Sequence, residues 1–160
     1  MTRTTRRTPP QRPRRPAPAG PVDVSALSDM VGYRLRRATA AVYLDFIATF
    51  RATQLRPTQF SVLTVIATNP GRTQSAIAQA LHLKRANFVV LLDELEARGL
   101  IRRAPSRGDR RSYALHLTDK GQAALKTLRR LNRRHESHIA RKLGAAGRRH
   151  LLELLERLSV

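Results

Sequence analysis

Six arginines fall between positions 98 and 111 (Arg98, Arg102, Arg103, Arg107, Arg110 and Arg111), and Asp109 is the one acid among them. Guanidinium groups at this density have one obvious chemistry, which is charge-assisted hydrogen bonding to phosphate. Taken alone, an Asp-Arg pair beside a turn is a solvated ion pair of little energetic weight. The whole chain tips the balance. Its 160 residues carry 31 Lys+Arg against 11 Asp+Glu, a formal net charge of +20. A field of that sign and size points to a polyanionic partner: DNA, RNA or an anionic membrane surface.

Other chemistries are poorly supplied. Cysteine is absent, which excludes disulfides, thiolate metal sites, cysteine nucleophiles and thiol-based redox sensing. The five histidines show no acid-plus-nucleophile arrangement and there is no glycine-rich phosphate loop, so no catalytic residue and no cofactor is expected. His135 and His138 stand one helical turn apart. One reading makes them metal ligands with Glu136 or His150; the other, favoured here, makes them a surface coincidence, with no metal. Trp is absent and aromatics are 4% of the chain, which disfavours RNA recognition by base stacking. Apolar runs such as Phe88 to Leu92 are too short to span a bilayer, and no apolar region follows the basic N-terminus as a secretory signal would require. A soluble cytoplasmic protein with no membrane role is expected.

The elements that must position the arginines are readable from periodicity. Residues 1–21 hold six Arg, six Pro and no acid, and predict a disordered basic tail, either an arm for phosphate or a solubilising segment. Residues 22–56 predict a long helix capped by Ser25, with a stripe of Leu27, Val31, Leu35, Ala38, Val42, Phe46 and Phe50. Residues 57–117 predict a lobe. A helix from about Thr58 turns in Phe60, Leu63 and Ile66, and Asn69-Pro70-Gly71 makes a turn. Thr73 then caps a short helix with Ile77, Ala80 and Leu81 inward. A further helix, with Phe88, Leu91, Leu92 and Leu95 as its core face, stops at Gly99. Two short strands, Leu100 to Ala104 and Ser112 to Leu117, flank a hairpin tip at 105–109. Residues 118–160 predict C-terminal helices, capped by Thr118 and broken at Gly144 and Gly147.

Helix, helix, turn, helix and an arginine-rich hairpin form a winged helix-turn-helix: a mainly α fold with a two-stranded wing. One helix fits a major groove about 12 Å wide while the hairpin reaches the adjacent minor groove. Three segments then resemble the MarR family of bacterial transcriptional regulators. They are Thr73-Gln74-Ser75-Ala76-Ile77-Ala78, the run Leu91-Leu92-Asp93-Glu94-Leu95-Glu96-Ala97-Arg98-Gly99-Leu100-Ile101, and Gly108-Asp109-Arg110-Arg111 continuing to Leu117-Thr118-Asp119-Lys120-Gly121. The resemblance implies a homodimer joined through the N- and C-terminal helices. It also implies that Asp109 orients Arg111 toward a minor groove.

DNA-contacting residues are therefore expected at Thr73, Gln74 and Ser75, at Lys84, Arg85, Asn87 and Val89, and at Arg103, Arg107, Asp109, Arg110 and Arg111. The second helix departs from the family pattern: Lys84 replaces a small N-cap and His82 a turn glycine. Val89 and Val90 stand where polar residues are common, and for Val90 a thymine-methyl contact and a core position remain equally open.

The expected activity is a ligand-responsive repressor on a pseudo-palindromic double-stranded operator. The competing reading is an architectural, nucleoid-associated protein without an effector. As effector the resembled family suggests an aromatic carboxylic acid or its coenzyme A thioester. Tyr33, Arg36, Arg37, Tyr43, Phe46, Gln59 and Phe60 are the candidate contacts, with core packing of Phe46 and Phe60 as the alternative.

Overall fold

The computed structural model describes residues 20–105 and 113–159. Most of the expected tail, and the wing-tip residues Arg107, Asp109, Arg110 and Arg111, lie outside the described residues. The chain order is α1 (Val31–Phe50), α2 (Pro57–Thr68), α3 (Gln74–Ala80), α4 (Arg85–Ala97), β1 (Ile101–Pro105), β2 (Tyr113–Leu117) and α5 (Asp119–Ser159).

The first helix starts later than its periodicity suggests. Asp23 accepts hydrogen bonds from the Ser25 backbone N–H (2.9 Å) and hydroxyl (3.2 Å), so Ser25 is held in a separate one-turn 3-10 helix, Ser25–Leu27. A short polar side chain that bonds nearby backbone competes with helix continuation. Helix α1 begins at Val31, with Met30 as an N-cap that makes no side-chain bond. It closes through a second 3-10 turn, Arg51–Thr53, and Gln54 in the left-handed region at φ 52°. Arg98, at the end of α4, donates to the carbonyls of Thr53 (2.8 Å) and Gln54 (3.2 Å).

Helix α2 takes Pro57 as its first residue, one earlier than the Thr58 start, because proline has no N–H to lose there. Gln59 Oε1 accepts from the Arg56 backbone N–H at 3.0 Å, closing the capping box. Val62, Leu63 and Ile66 are buried, and α2 packs against α5, β2 and α3. In α3 the buried pair is Ile77 and Ala78, with Leu81 half-buried; Ala80 is exposed, against expectation. A seven-residue helix wedged between α2, α4 and β2 turns two adjacent positions inward, which a one-face stripe does not anticipate.

Gly99 is left-handed at φ 68°, with Gly99 N–H bonded to Glu96 O (2.7 Å) and Leu100 N–H to Leu95 O (3.0 Å), a Schellman stop. The wing strands pair antiparallel with Ile101 opposite Leu117 and Arg102 opposite His116. The Thr118 hydroxyl donates to Gly99 O (2.6 Å) and accepts from Gly121 N–H (2.9 Å), which caps α5. A Cβ at Gly121 would lie 1.9 Å from the Leu100 carbonyl oxygen, so that crossing admits glycine alone. The expected break in α5 occurs at Gly144 (φ 69°, ψ 165°), whereas Gly147 stays helical.

One core joins α1 to the lobe: Phe46, Phe50, Leu63, Phe88, Leu92, Leu95, Leu115, Leu125 and Leu128. The rest of the α1 stripe is uncovered, with Val31 64%, Leu35 36% and Val42 41% exposed. Among the described residues no helix is long and apolar enough to cross a membrane.

Candidate nucleic-acid interface

The outward face of the lobe is built by α3 and α4. Thr73 caps α3 by accepting from the Ala76 backbone N–H at 3.3 Å, and Ile77 and Ala78 seat the helix on the core. The connection to α4 needs a left-handed residue, and His82 adopts it at φ 51°. His82 thus supplies the turn for which glycine would be ordinary, at some conformational cost. Lys84 stands at the α4 N-cap without a side-chain capping bond, which leaves its ammonium uncommitted.

Phe88, Leu91, Leu92 and Leu95 anchor α4 from below. Above them Lys84, Arg85 and Asn87 are exposed, and so is Val90 at 59%, which removes the core reading of that residue. Val89 is half-buried. It lines a shallow cleft together with Gln74, Ser75 and Arg85 from the two helices. The structure therefore brings four of the twelve predicted contacts, Gln74, Ser75, Arg85 and Val89, to one cleft, while Asn87 lines a neighbouring one with Arg56 and Val90. Thr73 has a structural duty there as well, because its hydroxyl is the α3 cap.

Arg103, one of the expected DNA contacts, pairs Nη2 with Asp93 (2.6 Å) and Nη1 with Glu96 (3.3 Å), and its backbone N–H donates to Glu96 (3.1 Å). Strand alternation turns Arg103 toward α4, where it neutralises two acids and ties the wing base to the recognition helix. Arg98 likewise serves Thr53 and Gln54. The acids carry the missed signal: Asp93 and Glu96 are three apart on one helix face, the spacing a clamp needs.

The candidate effector residues are spread along α1 and the start of α2. Phe46 stacks on Phe50 with centroids 3.8 Å apart and lies 6.3 Å from Phe60, so these rings pack with the core. Gln59 is buried; besides its cap bond it donates to Glu94 at 2.7 Å, and Arg56 pairs with the same carboxylate. Tyr33 carries the Arg36 and Arg37 guanidinium groups over its ring, at 5.2 and 5.9 Å. Thirteen residues separate Tyr33 from Phe46, about 20 Å along a helix. Tyr43 is exposed on α1 between them.

The two neighbouring histidines meet an acid from another helix, not Glu136 or His150. His135 Nδ1 lies 2.5 Å from one Asp45 oxygen and His138 Nδ1 2.9 Å from the other, locking α1 to α5. Burial opposes the charged form of Asp45, but its bonds to both histidines prevail and hold its carboxyl below the ordinary value. Glu136 is engaged by Arg148 at 2.7 Å, and His150 faces Glu153 at 3.7 Å.

Comparison with known proteins accords with this geometry. Residues 53–112 match the MarR family. A Thauera aromatica protein assigned to transcriptional regulation of the hcr operon is 37% identical over 134 residues, 83% of this chain and 81% of that one. The transcriptional repressor CouR, solved bound to a 23-mer DNA duplex, is 43% identical with a TM-score of 0.84, covering 88% of this chain and 100% of its own. CouR bound to p-coumaroyl-CoA superposes with a TM-score of 0.80 at 42% identity, covering 87% and 98%. This chain belongs to the MarR family of winged helix-turn-helix, DNA-binding transcriptional regulators.

Proposed function

We propose that this protein is a homodimeric repressor that leaves a pseudo-palindromic operator when an aromatic carboxylic acid or its coenzyme A thioester binds. The observation that carries the DNA half is the exposed surface at the first two turns of α4, where Lys84, Arg85, Asn87 and Val90 stand clear of the buried Phe88, Leu91 and Leu92. Arg85 and Asn87 read base edges, Val89 and Val90 meet thymine methyls, and Gln74 and Ser75 hold flanking phosphates. Asp109 and Arg111, with Arg107 and Arg110, take the wing roles.

The dimer is supported by the uncovered apolar face of the terminal helices, including Leu44 at 68%, Leu152 at 49% and Leu158 at 63%. Exposed stripes of this length mark an interface. The effector class is supported by the CouR complex with p-coumaroyl-CoA. In this chain Tyr33, Arg36 and Arg37 supply an aromatic face beside cations, whereas Phe46, Phe60 and Gln59 lie farther along, packed with the core. Effector binding needs only a higher affinity for the conformation that grips DNA poorly.

Anisotropy titrations of a labelled operator, at physiological salt, test the reading. Release by p-coumaroyl-CoA or p-coumarate is expected. Release by divalent metals alone would overturn it. The +20 charge also favours a sequence-tolerant architectural role, which predicts equal affinity for operator and random duplex.

A further inference from the structure

On the far side of the wing from α4, a cleft of about 730 Å³ opens between the end of α2, the two strands and the first turns of α5. Its rim is Arg102, His116, Lys126, Arg129 and Arg133, and no carboxylate is among its lining residues. Arg102 and His116 are cross-strand partners in the β1–β2 register, and Lys126, Arg129 and Arg133 follow one face of α5. Among the described residues none of the five has an ion-pair partner, whereas Arg103, one position along β1, has two. Like charges three to four apart on a helix repel. Arg102, Lys126, Arg129 and Arg133 thus gather four positive charges without an acid, and an anion among them would relieve that repulsion.

The floor has a different character. Ala67, Pro70 and Leu117 present an apolar surface inside the basic rim. The volume falls within the range of small-molecule sites, roughly 300–1,000 Å³. We infer that this cleft binds a nucleotide-type ligand: an organic phosphate whose phosphates meet the arginines and whose base lies on the apolar floor. Guanidinium groups suit phosphate because they donate bidentately in a plane. The ligand would bridge α2, both strands and α5, and so set how the wing stands on the long helix. The site does not use the α4 surface, and the inference is independent of the aromatic-effector reading.

Calorimetric titration of the full chain in 150 mM salt tests it, with ADP, coenzyme A and inorganic pyrophosphate as probes. Saturable ADP binding at one per chain is expected, with pyrophosphate at least tenfold weaker. Coenzyme A binding in parallel would place its adenosine-phosphate part in the cleft; ADP binding without it would assign the cleft to free nucleotides. The R129Q/R133Q variant should lose at least tenfold in ADP affinity. The charge-matched R141Q/K142Q variant, altered at exposed positions on the same helix outside the cleft, should match the unaltered chain. Equal losses in the two variants would reduce the effect to diffuse charge and overturn the inference, as would absence of saturable ADP binding. Operator release by p-coumarate, which carries no phosphate, measured on R129Q/R133Q, reports separately on the effector reading.

Discussion

The winged lobe and the terminal helices use apolar residues in opposite ways. In the lobe, Leu63, Phe88, Leu92, Leu95 and Leu115 are all at most 1% exposed, and acids such as Asp93, Glu94 and Glu96 are answered by Arg103 and Arg56. Along α1 and the end of α5, residues of the same type stand open, as Val31, Leu44 and Leu158 do at more than 60%. The lobe's core is closed within the chain, by Phe46 and Phe50 of α1 and Leu125 and Leu128 of α5. The helices carry a face that a single chain cannot cover, so stability and assembly should respond to different substitutions.

The largest effect should come from the lobe. Phe88→Ala empties a fully buried site and should cost about 3–5 kcal/mol in chemical denaturation. Equal loss from Leu44→Asp would erase the contrast between the two regions. That second substitution should instead act on assembly. Sedimentation should fall from twice 18.0 kDa toward 18.0 kDa, with the lobe's fold retained. A dimer insensitive to Leu44→Asp combined with Leu152→Asp would move the interface elsewhere.

A finer comparison lies within the arginines. Arg85→Ala should cost roughly 1–3 kcal/mol at one base pair and relax specificity there, without changing stability. Arg103→Ala should cost at most about 1 kcal/mol of stability, given the partial exposure of its partners, and should weaken binding without regard to sequence. Operator variants scored against both proteins separate base reading from wing support.

The smallest effect concerns the joint between the regions. Asp45 is held below its ordinary value by His135 and His138. A carboxyl depressed in the folded state adds stability that is fully present above about pH 4, the unfolded value, and is lost as pH falls through the lower folded value. Asp45→Asn should flatten that part of the stability–pH curve. An unchanged acid limb would show that the joint contributes nothing.

Much of the lobe was legible in the sequence because its signals are local. Asn69-Pro70-Gly71, Gly99 and Thr118 mark stops and caps through backbone geometry, and all three act as marked. The periodicity of Phe88, Leu91, Leu92 and Leu95 likewise identifies a buried face. Signals failed where a competing local bond intervened, as Asp23 does for Ser25, or where a helix is too short for one face, as in α3.

What the sequence by itself determined is the order of elements, the basic outer surface and the family of the fold, since each depends on neighbours a few residues apart. Only the tertiary structure decided which arginines remain free. Arg102 and Arg103 are adjacent, yet strand alternation sends one to an acid-free cleft and the other to Asp93 and Glu96. The tertiary structure also split the aromatic residues of α1 between core and surface, and joined Asp45 to histidines some ninety positions away. The physical reason is the same in each case. A side chain's charge or ring is written in the sequence, but its partner is chosen by packing between elements that the chain brings together only when folded.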